Sequence, residues 1–187
     1  MSSCVWQFRE SRHNITAVAT GVYVMLLGLS LSAFTTLHVI ISLIAIVAGL
    51  VVMFGMVGPY KSGGLTAIFL LLTILTSVTG FMFPFNGVTP GILIGILSCV
   101  LLAVACLALY SMKLAGPWRW IYLLTALISL YLNVFVLVIQ SFLKIPPLHE
   151  LAPGNPPAGL AFLVVQGIVL VFFAVMIIQV WRRFRPA

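Results

Sequence analysis

The stretch Ala158-GLAFLVVQGIVLVFFAVMIIQV-Trp181, followed by Arg182-Arg183-Phe184-Arg185, decides the fold class. It carries no charged side chain until the arginine cluster that closes it. A helix needs roughly 20 apolar residues to cross the hydrocarbon layer of a membrane. This segment meets that length and ends in the basic residues that favour an anionic surface. Similar stretches recur upstream at Trp118–Gln140, Pro90–Met112 and Leu65–Pro84. Farther up, Ile15–Gly58 has no Lys, Arg, Asp or Glu, and is twice the length that one straight crossing needs. A break near Ala33–Thr36 divides it into Ile15–Ser32 and Thr36–Gly58. The expectation is therefore an all-α, polytopic transmembrane helical bundle of six spans. The count falls to five if the N-terminal segment is cleaved or non-native.

Composition points the same way. The 187 residues are 63% hydrophobic and 6% charged, with mean hydropathy +1.29. Soluble domains are about 25% charged, and disordered chains need low hydrophobicity. The ten prolines fall at the ends of these segments or between them, as the cost of proline in a helix interior requires. The expected organisation is a cytoplasmic tail at 1–14, one membrane domain at 15–181 and a basic tail at 182–187. The spans are about 15–32, 36–58, 65–84, 90–112, 118–140 and 158–181, with one long outer loop at 141–157. No convincing internal match relates Ile15–Pro84 to Pro90–Trp181.

The N-terminus admits another reading. Arg9 and Arg12 precede an apolar run, Val18–Leu31, and small residues Ser30 and Ser32 stand where a signal peptidase would cut before Ala33. All versions leave the downstream loops on the same sides.

Orientation follows from the basic residues. With alternating spans, Arg9, Arg12, Lys61, Lys113, Arg119, Arg182, Arg183 and Arg185 share one side, and Lys144 stands alone on the other. The first side is expected to be cytoplasmic. Trp118, Arg119, Trp120, Trp181, Arg182, Arg183 and Arg185 are the expected interface anchors there. Anionic lipid at the inner face is the expected partner, with a protein partner or a second copy possible. The net charge of +7 does not point to nucleic acid, because no soluble basic face carries it.

The two acids, Glu10 and Glu150, limit the chemistry. Paired-carboxylate catalysis, intramembrane proton relays and carboxylate-rich cation sites all need more or closer acids. No phosphate-binding glycine loop is present. No cofactor is expected, and the reading leans away from catalysis.

Polar residues within the spans remain. Tyr122, Thr125, Ser129, Asn133 and Gln140 recur on one face of their helix. Asn133 and Gln166 fall at a similar depth. One reading is packing, since small and hydroxyl residues join membrane helices. The other is an outward-facing polar pocket lined by His38, Ser42, Thr76, Asn133, Gln140 and Gln166. Uncharged amides there would suit a small neutral or lipidic ligand. His38, His149 and Glu150 share the outer side and are weak metal candidates, without ligand-like spacing. Cys4, Cys99 and Cys106 form no CxxC and read as packing residues.

Several stretches together carry a resemblance: Leu75-Thr-Ser-Val-Thr-Gly-Phe81, Phe83-Pro-Phe85, Leu114-Ala-Gly, Trp118-Arg-Trp-Ile-Tyr122, Leu130-Tyr-Leu-Asn-Val-Phe-Val136 and Leu151-Ala-Pro before Pro156-Pro157. With these, the chain from about Thr36 to Phe184 resembles a set of small, uncharacterised bacterial multi-pass inner-membrane proteins. The resemblance implies the bacterial inner membrane and supplies no activity and no ligand residues. Residues 1–32 depart from that pattern. Three functions are then in view. They are a non-catalytic bundle or accessory subunit, a carrier or binder of a small neutral or lipidic ligand, and a metal- or haem-dependent redox protein.

Overall fold

The computed structural model describes residues 25–26, 28–58, 63–83 and 90–183. The chain divides into two compact units, Met1–Val39 and Ile40–Ala187. Five helices are long and apolar enough to cross a membrane.

In the first unit, strands β1 (Met25–Leu26) and β2 (Leu29–Ser30) form a short antiparallel ladder pairing Met25 with Ser30 and Leu26 with Leu29. Gly28 turns the chain with φ +78°, a conformation that side chains rarely tolerate. Helix was expected through Ser32, so this ladder is a correction. The rest of that expected span, residues 15–24, lies outside the described residues.

Helix α1 (Leu31–Val57) begins directly after the ladder. The Ser30 hydroxyl accepts the Ala33 N–H at 3.3 Å, the position a capping serine takes. The break expected at Ala33–Thr36 is helical instead. Thr35 and Thr36 turn their hydroxyls back onto the carbonyls of Leu31 and Ser32, at 2.7 and 3.0 Å. Threonines that look like a loop in sequence thus add bonds inside the helix.

In the second unit α1 continues and is followed by α2 (Gly63–Phe81) and α3 (Pro90–Cys106). The last turn of α3 widens into a π-helical turn at Leu107–Ser111, where Met112 N–H reaches Leu107 O at 3.0 Å. The chain then reverses through Lys113 (φ 48°), Leu114 (φ 57°) and Gly116 (φ 54°). Pro117 caps α4 (Trp118–Lys144), and its missing N–H is harmless there.

The expected outer loop holds a short helix, α5 (Pro146–Leu151). Ile145 is extended, as a residue before proline prefers, and Pro146 and Pro147 occupy the first turn with φ already near helical. The last helix, α6, runs Leu160–Arg183.

Helix α4 packs against α3 and α6, and α2 packs against α3. The buried row Leu123, Ala126, Leu127 and Leu130 on α4 meets Met53 and Met56 of α1, Phe69 and Leu70 of α2, Leu102 and Ala105 of α3, and Phe173 and Met176 of α6. Gly49 of α1 lets this approach happen. A Cβ there would stand 2.5 Å from Leu130 Cδ1 and 2.8 Å from the Phe69 ring. The outer surface of the helices is as apolar as this core. Leu160, Leu163 and Ile168 of α6 are 77%, 65% and 65% exposed. An apolar surface this continuous suits acyl chains rather than water.

Candidate functional site

The hydroxyls in the spans bond within their own helices. Thr73 donates to Phe69 O at 2.7 Å, Thr76 to Leu72 O at 2.9 Å and Ser77 to Thr73 O at 3.1 Å. On α4, Thr125 donates to Ile121 O at 2.7 Å and Ser129 to Thr125 O at 2.8 Å. A hydroxyl so engaged has spent its donor and offers a ligand only acceptor lone pairs. The phenol of Tyr122 instead bonds the Thr66 side chain, joining α4 to α2. The sequence reading did not single out Thr66, and nothing in the spacing marks it.

The amides behave differently. Gln166 is only 8% exposed, and its Nε2 donates to the backbone carbonyl of Phe135 at 3.1 Å. Among the described residues its Oε1 is buried without a hydrogen-bond partner, and so is Nδ2 of Asn133. The expected common depth agrees with this bond, since Asn133 is two residues from Phe135, about 3 Å along the axis. The direction does not agree with a shared pocket. Tyr131 meets Phe173 edge-on at 5.6 Å, and Phe142 meets Phe162 at 5.5 Å, so that row of α4 faces α6. Asn133 lies about 200° round the helix from Tyr131, on the side away from α6. Gln166 and Asn133 therefore address different faces of α4.

The other expected pocket residues lie on α1, α2 and α4. Thr76 is buried and bonded on α2. Ser42 is partly buried on α1, and Gln140 is exposed near the end of α4. His38 is partly buried on α1, in the first unit. His149 and Glu150 are exposed on α5, where the His149 ring shares a 3.3 Å hydrogen bond with Phe142 O. Among the described residues, no three His, Cys, Asp or Glu side chains come together as a metal site would require. Cys99 and Cys106 are free thiols on α3, and Cys4 lies outside the described residues.

A cluster of aromatic and basic side chains lies at the other end of α4. Trp120 of α4 and Trp181 of α6 stack with centroids 4.3 Å apart and planes 19° from parallel. The Arg119 guanidinium lies over the Trp120 ring at 4.1 Å. Its Nε is buried without a hydrogen-bond partner among the described residues. Arg182 and Arg183 follow Trp181 and are exposed, as is Lys113 before α4. These residues were expected as separate anchors, and sequence could not show that they join across two helices. Arg185 and the N-terminal basic residues lie outside the described residues. No family model, no curated protein and no solved structure matches the chain.

Proposed function

We propose that the chain is a non-catalytic integral membrane protein, a helical bundle serving as a structural or accessory subunit. The observation that carries this reading is the self-contained bonding of the intramembrane hydroxyls of Thr73, Thr76, Ser77, Thr125 and Ser129. Polar groups so bonded support helices and packing.

In this reading α1, α2, α3, α4 and α6 are five crossings. The six-span alternative needs a further helix before Met25. The basic end of α4 and α6 faces the cytoplasm and anionic lipid, with the C-terminus inside, while Lys144 faces out. Single cysteines replacing Lys113 and Lys144 test this. An impermeant maleimide on intact cells should label the second and spare the first, and the reverse pattern would invert the topology. The bacterial inner-membrane setting rests on the sequence resemblance.

A second reading, a carrier or binder of a small neutral or lipidic ligand, is favoured by Asn133 Nδ2 and Gln166 Oε1, which have no hydrogen-bond partner among the described residues. Native mass spectrometry of the protein extracted with its surrounding lipids separates the two. The accessory-subunit reading expects a protein partner or a second copy and no stoichiometric neutral ligand. A neutral ligand that is present in the native chain and lost from folded Asn133→Leu would overturn it.

A further inference from the structure

We infer that the Trp120–Trp181 stack holds one anionic phospholipid, with its phosphodiester seated against Arg119. The inference rests on the membrane-spanning reading above and names a discrete ligand for it.

Arg119 is fixed on the indole of Trp120, which is itself held by Trp181. A guanidinium keeps its charge under all ordinary conditions. Its Nε is shielded from solvent and bonded to nothing in the described protein. Arg119 as a whole is only partly buried, and a guanidinium pairs most strongly with an anionic acceptor. Glu150 is the sole carboxylate among the described side chains, and it follows the opposite end of α4. About 37 Å of helix separates Arg119 from Lys144, so no described carboxylate reaches the guanidinium. Any anionic partner therefore comes from outside the described residues.

The surroundings select its chemistry. Arg182 and Arg183 follow Trp181 immediately, so the local field is positive on both helices. Arginine pairs bidentately with phosphate oxygens. Val175, Ile178 and Trp181 are exposed at three-residue steps on α6, an apolar track leading away from the stack into the membrane. A phosphate carrying acyl chains satisfies both features, and free phosphate satisfies only the first. A zwitterionic headgroup would bring a cation among the arginines.

The test uses delipidated full-length protein in an uncharged detergent, read by native mass spectrometry. Phosphatidylglycerol should form a one-to-one adduct at least about fivefold more abundant than phosphatidylcholine, the factor one basic contact at a lipid surface supplies. Arg119→Gln should reduce the adduct to the phosphatidylcholine level, and Lys144→Gln should leave it unchanged. Equal retention of both lipids, or an adduct unaffected by Arg119→Gln, overturns the proposal. Displacement of the lipid by millimolar inorganic phosphate overturns it in favour of a free-phosphate site. Should Arg119→Gln fail to fold, the double variant Arg182→Gln/Arg183→Gln, at exposed positions, carries the same expectation. Failure of the membrane reading has its own signature, release of the chain from membranes by alkaline carbonate without detergent.

Discussion

Replacing Gly49 by alanine tests how closely α1 is held to the rest of the second unit. The new Cβ would stand 2.5 Å from Leu130 Cδ1 and 2.8 Å from Phe69 Cδ2 and Cε2. Carbon atoms rest at about 3.5–4.0 Å, so both neighbours must retreat by roughly 1 Å. Neither has room, because Phe69 is 1% and Leu130 0% exposed. Overpacking of this kind destabilises by about 1–3 kcal/mol. Alanine returns up to about 1 kcal/mol through its better helix propensity. The expected net loss is about 1–2 kcal/mol, near a tenfold change in the folding equilibrium. The control is Gly167→Ala, where a Cβ meets nothing within 4 Å. It should equal or exceed the native protein in stability. Unfolding in mixed micelles by titrated dodecyl sulfate, followed by circular dichroism, gives the ranking. Leu130→Ala in the Gly49→Ala background should recover part of the loss, since the two sites couple through contact. Native-like stability of Gly49→Ala would refute the close approach of α1 to α2 and α4.

Three further changes extend the argument. Ser129→Ala should alter stability by less than about 1 kcal/mol in the same titration, because the lost bond is to Thr125 O in its own helix. Gln166→Leu removes both the bond to Phe135 O and the buried Oε1, which has no partner among the described residues, so the terms oppose and the change should stay within about 1 kcal/mol. A larger loss would mean that Oε1 has an acceptor role. Lys113→Gly relieves a left-handed residue held at φ 48°, worth roughly 1–2 kcal/mol, against a loss of about 0.5–1 kcal/mol from added chain freedom. A modest rise in melting temperature in uncharged detergent is expected.

The spans were legible because hydropathy and proline placement respond to the same physical limit, the thickness of the hydrocarbon. Helices α2, α3, α4 and α6 therefore appear close to where composition put them. Helix ends were less legible. Ser30 and the back-bonding of Thr35 and Thr36 decide the start of α1, and both depend on side-chain direction rather than polarity. Helix α5 was hidden because its prolines read as loop, although a Pro-Pro pair followed by Leu-His-Glu-Leu is compatible with a helical first turn. Among the candidate residues, depth was readable and azimuth was not. The spacing of Asn133 along α4 gives its row, but only the rings of Tyr131 and Phe142 reveal which row faces α6. The Trp120–Trp181 stack joins residues far apart in sequence, and no local pattern encodes it.

The length of α4 has a consequence for the membrane itself. Its 27 residues extend about 40 Å, against a hydrocarbon core of about 30 Å. Arg119 and Lys144 sit near its two ends, so with α4 as the proposed crossing each would reach a headgroup layer with the helix close to upright. In a thinner bilayer the helix has to tilt, drawing the arginine–tryptophan stack sideways through the headgroups. In a thicker one both charges are pulled toward the hydrocarbon. As a crossing, helix α4 would work as a ruler, making bilayer thickness a variable to which the chain's placement and packing respond.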